Sequence, residues 1–204
     1  MNYQRLFSHL NPNNCLDIGA HTGEFSINIK RNFPNCEIVM VEANPFCEEH
    51  LKKLNLKYEM IGLSSFEGKS NLHIEKSNVI GTGSSLYKEN TQWYEGENSH
   101  TISVNIDTLD NKNYFLNQMI DLIKIDVQGS ELDILNGGRK TIRRSKYVLL
   151  EVSTIQYNIN APLMDKVVDK MKEYEFRIEE ILNYNKLDNG QIFQMDILFK
   201  NTYV

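Results

Sequence analysis

Leu16-Asp17-Ile18-Gly19-Ala20-His21-Thr22-Gly23-Glu24-Phe25 sets the frame for everything else in this chain. Cys15 to Ile18 has the composition of a buried strand, and it runs directly into a glycine, a short turn and a second glycine. A helix is expected from Gly23 to about Phe33, where Pro34-Asn35 stops it. Glycine lets backbone approach a ligand with no Cβ in the way. The start of the helix presents unpaired N–H groups. The spacing G-x-x-x-G differs from the G-x-G-x-x-G of pyrophosphate-binding dehydrogenases.

Glu37 to Val41 reads as the next strand, and it ends in Val41-Glu42-Ala43-Asn44-Pro45. A carboxylate at that place can accept both ribose hydroxyls, as an acid about 20 residues downstream does in dinucleotide-binding folds. Taken singly, the glycines could serve helix–strand packing and Glu42 could be a solvated strand end. Together they favour an adenosine-type ligand. Asn44-Pro45 opens a further helix, with Asn accepting free backbone donors and Pro at the first helical position. A third strand is expected near Tyr58 to Leu63.

Strand–helix–strand alternation argues for an α/β fold with a parallel sheet covered on both faces. The Ser-, Asn- and Gly-rich stretch from Lys69 to Thr108 interrupts it, with β-like segments at Asn71–Glu75 and Thr101–Ile106. It reads as a hairpin-and-loop insertion, a type of segment that often covers a binding site. The rhythm resumes with a strand at Ile120–Val127, a helix from Ser130 to about Asn136 and a strand at Lys146–Val152. Leu163, Val167 and Met171 share one helical face. Phe176–Leu182 and Ile192–Phe199, joined by a loop with Asn189-Gly190, read as a hairpin that gives the sheet an antiparallel end.

Asp126 ends a buried strand, Glu131 opens the next helix and Glu151 ends the following strand, so all three are expected at the carboxyl edge, where ligands bind. Ser130 and Asp133 also read as a capping box, which would leave Glu131 a helix-start residue. Glu151 has the alternative of a solvated strand end. Asp126 needs a partner, because a carboxylate ending so apolar a strand is costly without one. Lys124 shares a strand face with Leu122 and Asp126: either its stem lies on apolar surface, or its ammonium pairs with one of the carboxylates.

The chain has 204 residues, enough for one domain but cramped for two. Lys plus Arg number 22 against 27 Asp plus Glu, giving −5, and no basic block stands out, which argues against a nucleic-acid partner. Cys15, Cys36 and Cys47 are odd in number and show no C-x-x-C spacing, so a reducing cytoplasm is the expected compartment. Met1 to Asn14 reads as a short amphipathic helix rather than a signal peptide, and no apolar run is long enough to cross a bilayer.

These motifs resemble the class I S-adenosylmethionine-dependent methyltransferases, and more narrowly the FkbM family. The resemblance covers most of the chain. It rests on Leu16 to Gly23, Val41 to Pro45, Gly62-Leu63-Ser64 with Gly68, Gly83-Ser84-Ser85-Leu86, Ile106-Asp107-Thr108-Leu109, Leu149-Leu150-Glu151 and, above all, Ile123-Lys124-Ile125-Asp126-Val127-Gln128-Gly129-Ser130-Glu131. It implies a Rossmann-like, seven-stranded, mostly parallel sheet with an antiparallel last strand. It also implies that Asp17, Gly19, His21 and Gly23 line the methionine and ribose of the cofactor, that Glu42 takes the ribose hydroxyls, and that Asn44, Leu63 and Ser64 border the adenine. Asp126 would sit near the methionine amine and the transferred methyl. His21 retains a second reading, as a turn residue bonded to nearby backbone.

Methyl transfer from a sulfonium is an in-line displacement, so geometry and desolvation dominate, while a hydroxyl acceptor gains from a nearby base. Asp126, Glu131 and Glu151 are the candidates, with His73 and His100 behind them. Mg²⁺ held by the three carboxylates is a second, less favoured arrangement. The insertion is expected to cover the acceptor, with Ser84 and Ser85 as donors and Trp93 either stacking on a sugar or anchoring a loop. The resemblance implies a hydroxyl on a glycan, a sugar or a related small metabolite. A nicotinamide-dependent oxidoreductase and a non-enzymatic binding module on a Rossmann-like fold are the competing readings.

Overall fold

The computed structural model describes residues 1–204. Its first element, helix α1 (Tyr3–His9), is shorter than the amphipathic stretch suggested, because Asn2 caps it and Leu10 is already extended. Strand β1 (Asn14–Ile18) is buried throughout and turns at Gly19 into helix α2 (Glu24–Asn32). Strand β2 (Glu37–Glu42) follows. Asn44 then accepts the Phe46 N–H and Pro45 opens a single 3-10 turn, which continues as the short helix α3 (Glu48–Lys52).

The expected third strand is in fact two. Strand β3 (Lys57–Met60) pairs with β2, but after Ile61 the chain leaves the main sheet, and strand β4 (Gly62–Ser64) joins a separate small one. Strands β5 (Gly68–Glu75) and β6 (Ser99–Thr108) complete it as an antiparallel pair, with the loop of residues 76–98 between them. The insertion is therefore a sheet of its own, order β4-β6-β5, with a core of Leu72, Ile74, Val104 and Ile106.

Strand β7 (Ile120–Ile125) restores the main sheet and leads into helix α4 (Glu131–Gly137), to which the structure adds a helix the sequence did not suggest, α5 (Arg139–Arg143). Strand β8 (Ser145–Ser153), helix α6 (Met164–Glu173) and the hairpin of β9 (Phe176–Lys186) and β10 (Ile192–Asn201) finish the chain. The sheet order is β3-β2-β1-β7-β8-β10-β9, with β1, β2, β3, β7 and β8 parallel and β10 antiparallel to both its neighbours.

Side chains alternate across this sheet, so the same strands feed two cores. Leu16, Ile18, Ile123 and Ile125 face α4 and α6 with Ile134, Val167 and Met171. Cys15, Leu122, Leu149 and Leu198 face the other layer with Phe25, Ile29 and Leu51. Asp17 and Lys124 are paired in register on neighbouring strands and belong to this second face. The three cysteines are buried and free. No helix is long and apolar enough to cross a membrane.

Candidate active site

A cavity of ≈ 510 Å³ opens at the carboxyl ends of β1, β2, β7 and β8, within the size range of small-molecule sites. Its floor is the turn after β1. Gly19 has φ +75°, and a Cβ there would lie 1.9 Å from the Asp126 carbonyl, so only glycine lets the two loops meet this closely. Gly23 also has positive φ but does not line the cavity; a Cβ there would meet Leu54, which makes it a packing glycine.

Glu42 is buried at the end of β2, and each carboxylate oxygen accepts one backbone N–H: Oε2 from His21 at 2.7 Å, Oε1 from Asn44 at 2.8 Å. Burial raises its pKa, and these two bonds work against the rise. Each oxygen keeps acceptor capacity for a diol. The His21 ring reaches the Ile80 carbonyl at 2.5 Å, so its backbone bond is to the insertion rather than to its own turn. Asn44 Nδ2 likewise donates to the Val79 carbonyl (2.8 Å) and Ser84 Oγ (3.1 Å). Ser85 donates to the Gln128 carbonyl at 2.7 Å. The insertion is thus tied to each of the loops that border the cavity.

Lys124 is 5% exposed, and its ammonium pairs with two carboxylates rather than one: Asp126 Oδ2 at 3.3 Å and Asp17 Oδ1 at 3.5 Å. Gly19 O lies 3.3 Å away and the Phe25 ring 5.5 Å. Burial opposes its charge, but Asp126 and Asp17 outweigh that and hold the pKa above the ordinary lysine value. Asp17 is wholly buried, accepts from Ser26 Oγ at 2.7 Å and does not line the cavity. It faces the Lys124 ammonium from outside the cavity wall.

Glu131 is the clearest departure from expectation. It is 4% exposed, outside the cavity wall, and its oxygens accept N–H groups of Gly129 (3.1 and 3.0 Å) and Val127 (3.2 Å). Burial raises its pKa to about 7. The capping box does not form: Ser130 makes no cap bond, and Asp133 accepts instead from Tyr87 at 2.7 Å. Ser64 also lies outside the cavity wall, and Trp93 is 56% exposed and does not line it; the neighbouring Tyr94 is the buried anchor.

Asp126, Glu151, Leu63, Ser84 and Ser85 do line the cavity, with Gly19, His21, Glu42 and Asn44. Glu151 Oε2 accepts from Gln128 Nε2 (2.5 Å) and Gln194 Nε2 (3.2 Å), and Gln128 also reaches Asp126. Burial, together with the charges of Asp126, Asp196 and Glu131, pushes the Glu151 carboxyl up to about 9. Gln128, Tyr157, Gln194 and Asp196 are cavity residues that sequence reasoning passed over. Gln128 stood inside the quoted Asp126-to-Glu131 run; the others depend on register between strands far apart in sequence.

No group of three or more His, Cys, Asp or Glu side chains is arranged to hold a metal ion, because Glu131 turns onto backbone while Asp126 and Glu151 share Gln128. The wall does fit a cationic nucleoside. It combines the Glu42 carboxylate, whose oxygens keep acceptor capacity, the close approach at Gly19, and the Asp126 and Glu151 carboxylates.

Residues 17–178 match the model of the Methyltransferase FkbM domain. A curated relative, Methyltransferase sdnD of Sordaria araneosa, is 28% identical over 188 residues, covering 76% of this chain and 73% of that protein. The crystal structure of Methyltransferase FkbM from Methylobacillus flagellatus KT superposes with a TM-score of 0.58 at 13% identity, over 91% of this chain and 44% of that one. This chain therefore spans less than half the length of that structure. Magnesium protoporphyrin IX methyltransferase from Synechocystis PCC 6803, solved with bound S-adenosylmethionine, gives a TM-score of 0.57 at 8% identity over 98% and 75%. Fold and cavity together define a Rossmann-like methyltransferase. The chain belongs to the FkbM methyltransferase family, whose methyl donor is S-adenosylmethionine.

Proposed function

We propose that the protein transfers a methyl group from S-adenosylmethionine to a hydroxyl of a sugar, glycan or related small metabolite, acting as an O-methyltransferase. One observation carries the reading: a single cavity joins a diol-accepting carboxylate, Glu42, to a second carboxylate region around Asp126 and Glu151, with Gly19 between them. Bound S-adenosylmethionine supplies an activated methyl on a positively charged sulfur. Glu42 would hold the ribose hydroxyls, Asn44 and Leu63 border the adenine, and Gly19 and His21 run along the ribose and methionine. Asp126, fixed by Lys124, would receive the methionine amine.

Glu151 is the proposed base for the acceptor hydroxyl, held by two amide donors at the acceptor end. Residues 1–204 act as one methyltransferase domain in this reading, and the insertion of about 69–108 covers the acceptor site. Support comes from its bonds to His21, Asn44 and Gln128 and from Ser84 and Ser85 in the wall. A cytoplasmic setting accords with three buried free thiols. The test is calorimetric titration with S-adenosylmethionine and S-adenosylhomocysteine. Both are expected to bind at one site; no binding of either would end the proposal.

A further inference from the structure

The antiparallel pairing of β10 with β8 brings to Glu151 a carboxylate that no local motif places there. In the β8–β10 register Asp196 lies directly opposite Glu151, and on its other side it is paired in register with Asn183 of β9. Asp196 is 8% exposed and lines the same cavity as Glu151. Like charges directly opposite on neighbouring strands destabilise a sheet. Neither has a Lys or Arg at ion-pair distance, because Lys124 is taken by Asp17 and Asp126. Rule-breaking of this kind is characteristic of functional positions.

We propose that Asp196 completes, with Glu151, a carboxylate pair that holds one proton in the cofactor-free protein, releases it when the cationic cofactor binds, and then takes the proton of the acceptor hydroxyl. The inference rests on the methyltransferase reading and names a second carboxylate for it. The groups facing the pair agree. Asp126 just after β7 and Glu131 from α4 add negative charge and Tyr157 is neutral, while the Met1 amine, Lys124 and the Gln128 and Asn183 amides lean the other way. Burial and these neighbours raise both carboxyls. In the transfer step the hydroxyl oxygen bonds the methyl carbon, the carbon–sulfur bond breaks with its electron pair going to sulfur, and the hydroxyl proton moves to the pair. The proton lost on cofactor binding is thereby replaced.

Titration calorimetry with S-adenosylmethionine at pH 8, in buffers of different ionisation enthalpy, reads the released proton. The wild type is expected to release about half to one proton per site, and D196N and E151Q about half as much or less. S-adenosylhomocysteine, which lacks the sulfonium charge, should release less than the donor. Equal release in wild type and D196N would overturn the pair. Thermal unfolding from pH 5 to 9 is the second arm and needs no ligand. A raised folded-state pKa means the Glu151 contribution is full below its ordinary value of 4.5 and is lost as pH climbs toward about 9. The wild-type midpoint should therefore fall more steeply on the alkaline side than that of D196N or E151Q, and parallel curves would overturn the shared proton even if no cofactor bound.

Discussion

The Lys124 ammonium lies 3.3 Å from Asp126 Oδ2, at the end of a strand whose other residues are buried. Because the same ammonium serves Asp17, one cation underwrites both a wholly buried carboxylate and one that lines the cavity. Lys124→Met would leave Asp17 buried without an opposite charge. Unfolding in denaturant should show a loss of about 3–5 kcal/mol, as for other broken buried pairs. Cofactor affinity should fall as well, since Asp126 loses the group that fixes it. A variant as stable as wild type would show that the pair is not a structural ion pair.

Glu42→Ala should weaken S-adenosylmethionine and S-adenosylhomocysteine alike, by about 10- to 100-fold, the worth of hydrogen bonds to a charged group. The equal effect follows from the proposed role of Glu42, which holds the diol common to both ligands and not the sulfur. Calorimetry gives both constants. A loss confined to the donor would place Glu42 near the reacting methyl instead.

Gly19→Ala and Gly23→Ala separate a ligand-side glycine from a packing one. At Gly19 the new Cβ would meet backbone, the Asp126 carbonyl; at Gly23 it would meet the end of a flexible leucine. Both carry positive φ and suffer on that account. Gly19→Ala should be the more destabilising by about 1 kcal/mol or more, from the clash that cannot relax. Chemical denaturation of the two variants side by side measures the difference.

Much of this was legible from local pattern. The strand–glycine–helix run from Leu16 to Phe25 and the acid at Glu42 place the first half of the cavity, because a buried parallel strand and a tight turn are written in contiguous residues. What stayed hidden depends on distant pairing. The split after Ile61 could not be read, since Tyr58 to Leu63 has the length and composition of a single strand and only its partners, β2 on one side and β6 on the other, divide it. Asp196 was hidden for the same reason. Glu131 misled differently: position at a helix start gives the residue but not the rotamer, and the turn at Gly129 captured its side chain.

Glu131→Ala removes acceptors from the Gly129 and Val127 N–H groups and should lower stability by about 1–3 kcal/mol, the penalty of unsatisfied buried donors. Glu131→Gln keeps an acceptor. The Glu131 pKa is raised to about 7 in the fold, so its favourable contribution is present at acid pH and declines as pH rises from 4.5 to about 7. The deficit of the Gln variant should therefore shrink between pH 5 and pH 8, as followed by urea unfolding. A constant deficit would remove burial as the cause.

The break after Ile61 has an evolutionary corollary. Because β4 hands the chain to a separate sheet in which Glu75 of β5 lies opposite Ser99 of β6, the 23 positions between them, 76 to 98, depart from and return to nearly one place. Length and composition can drift in that arm while the nucleoside-facing strands keep their partners. A lineage could thus retool which molecule is modified without redesigning how the methyl donor is held.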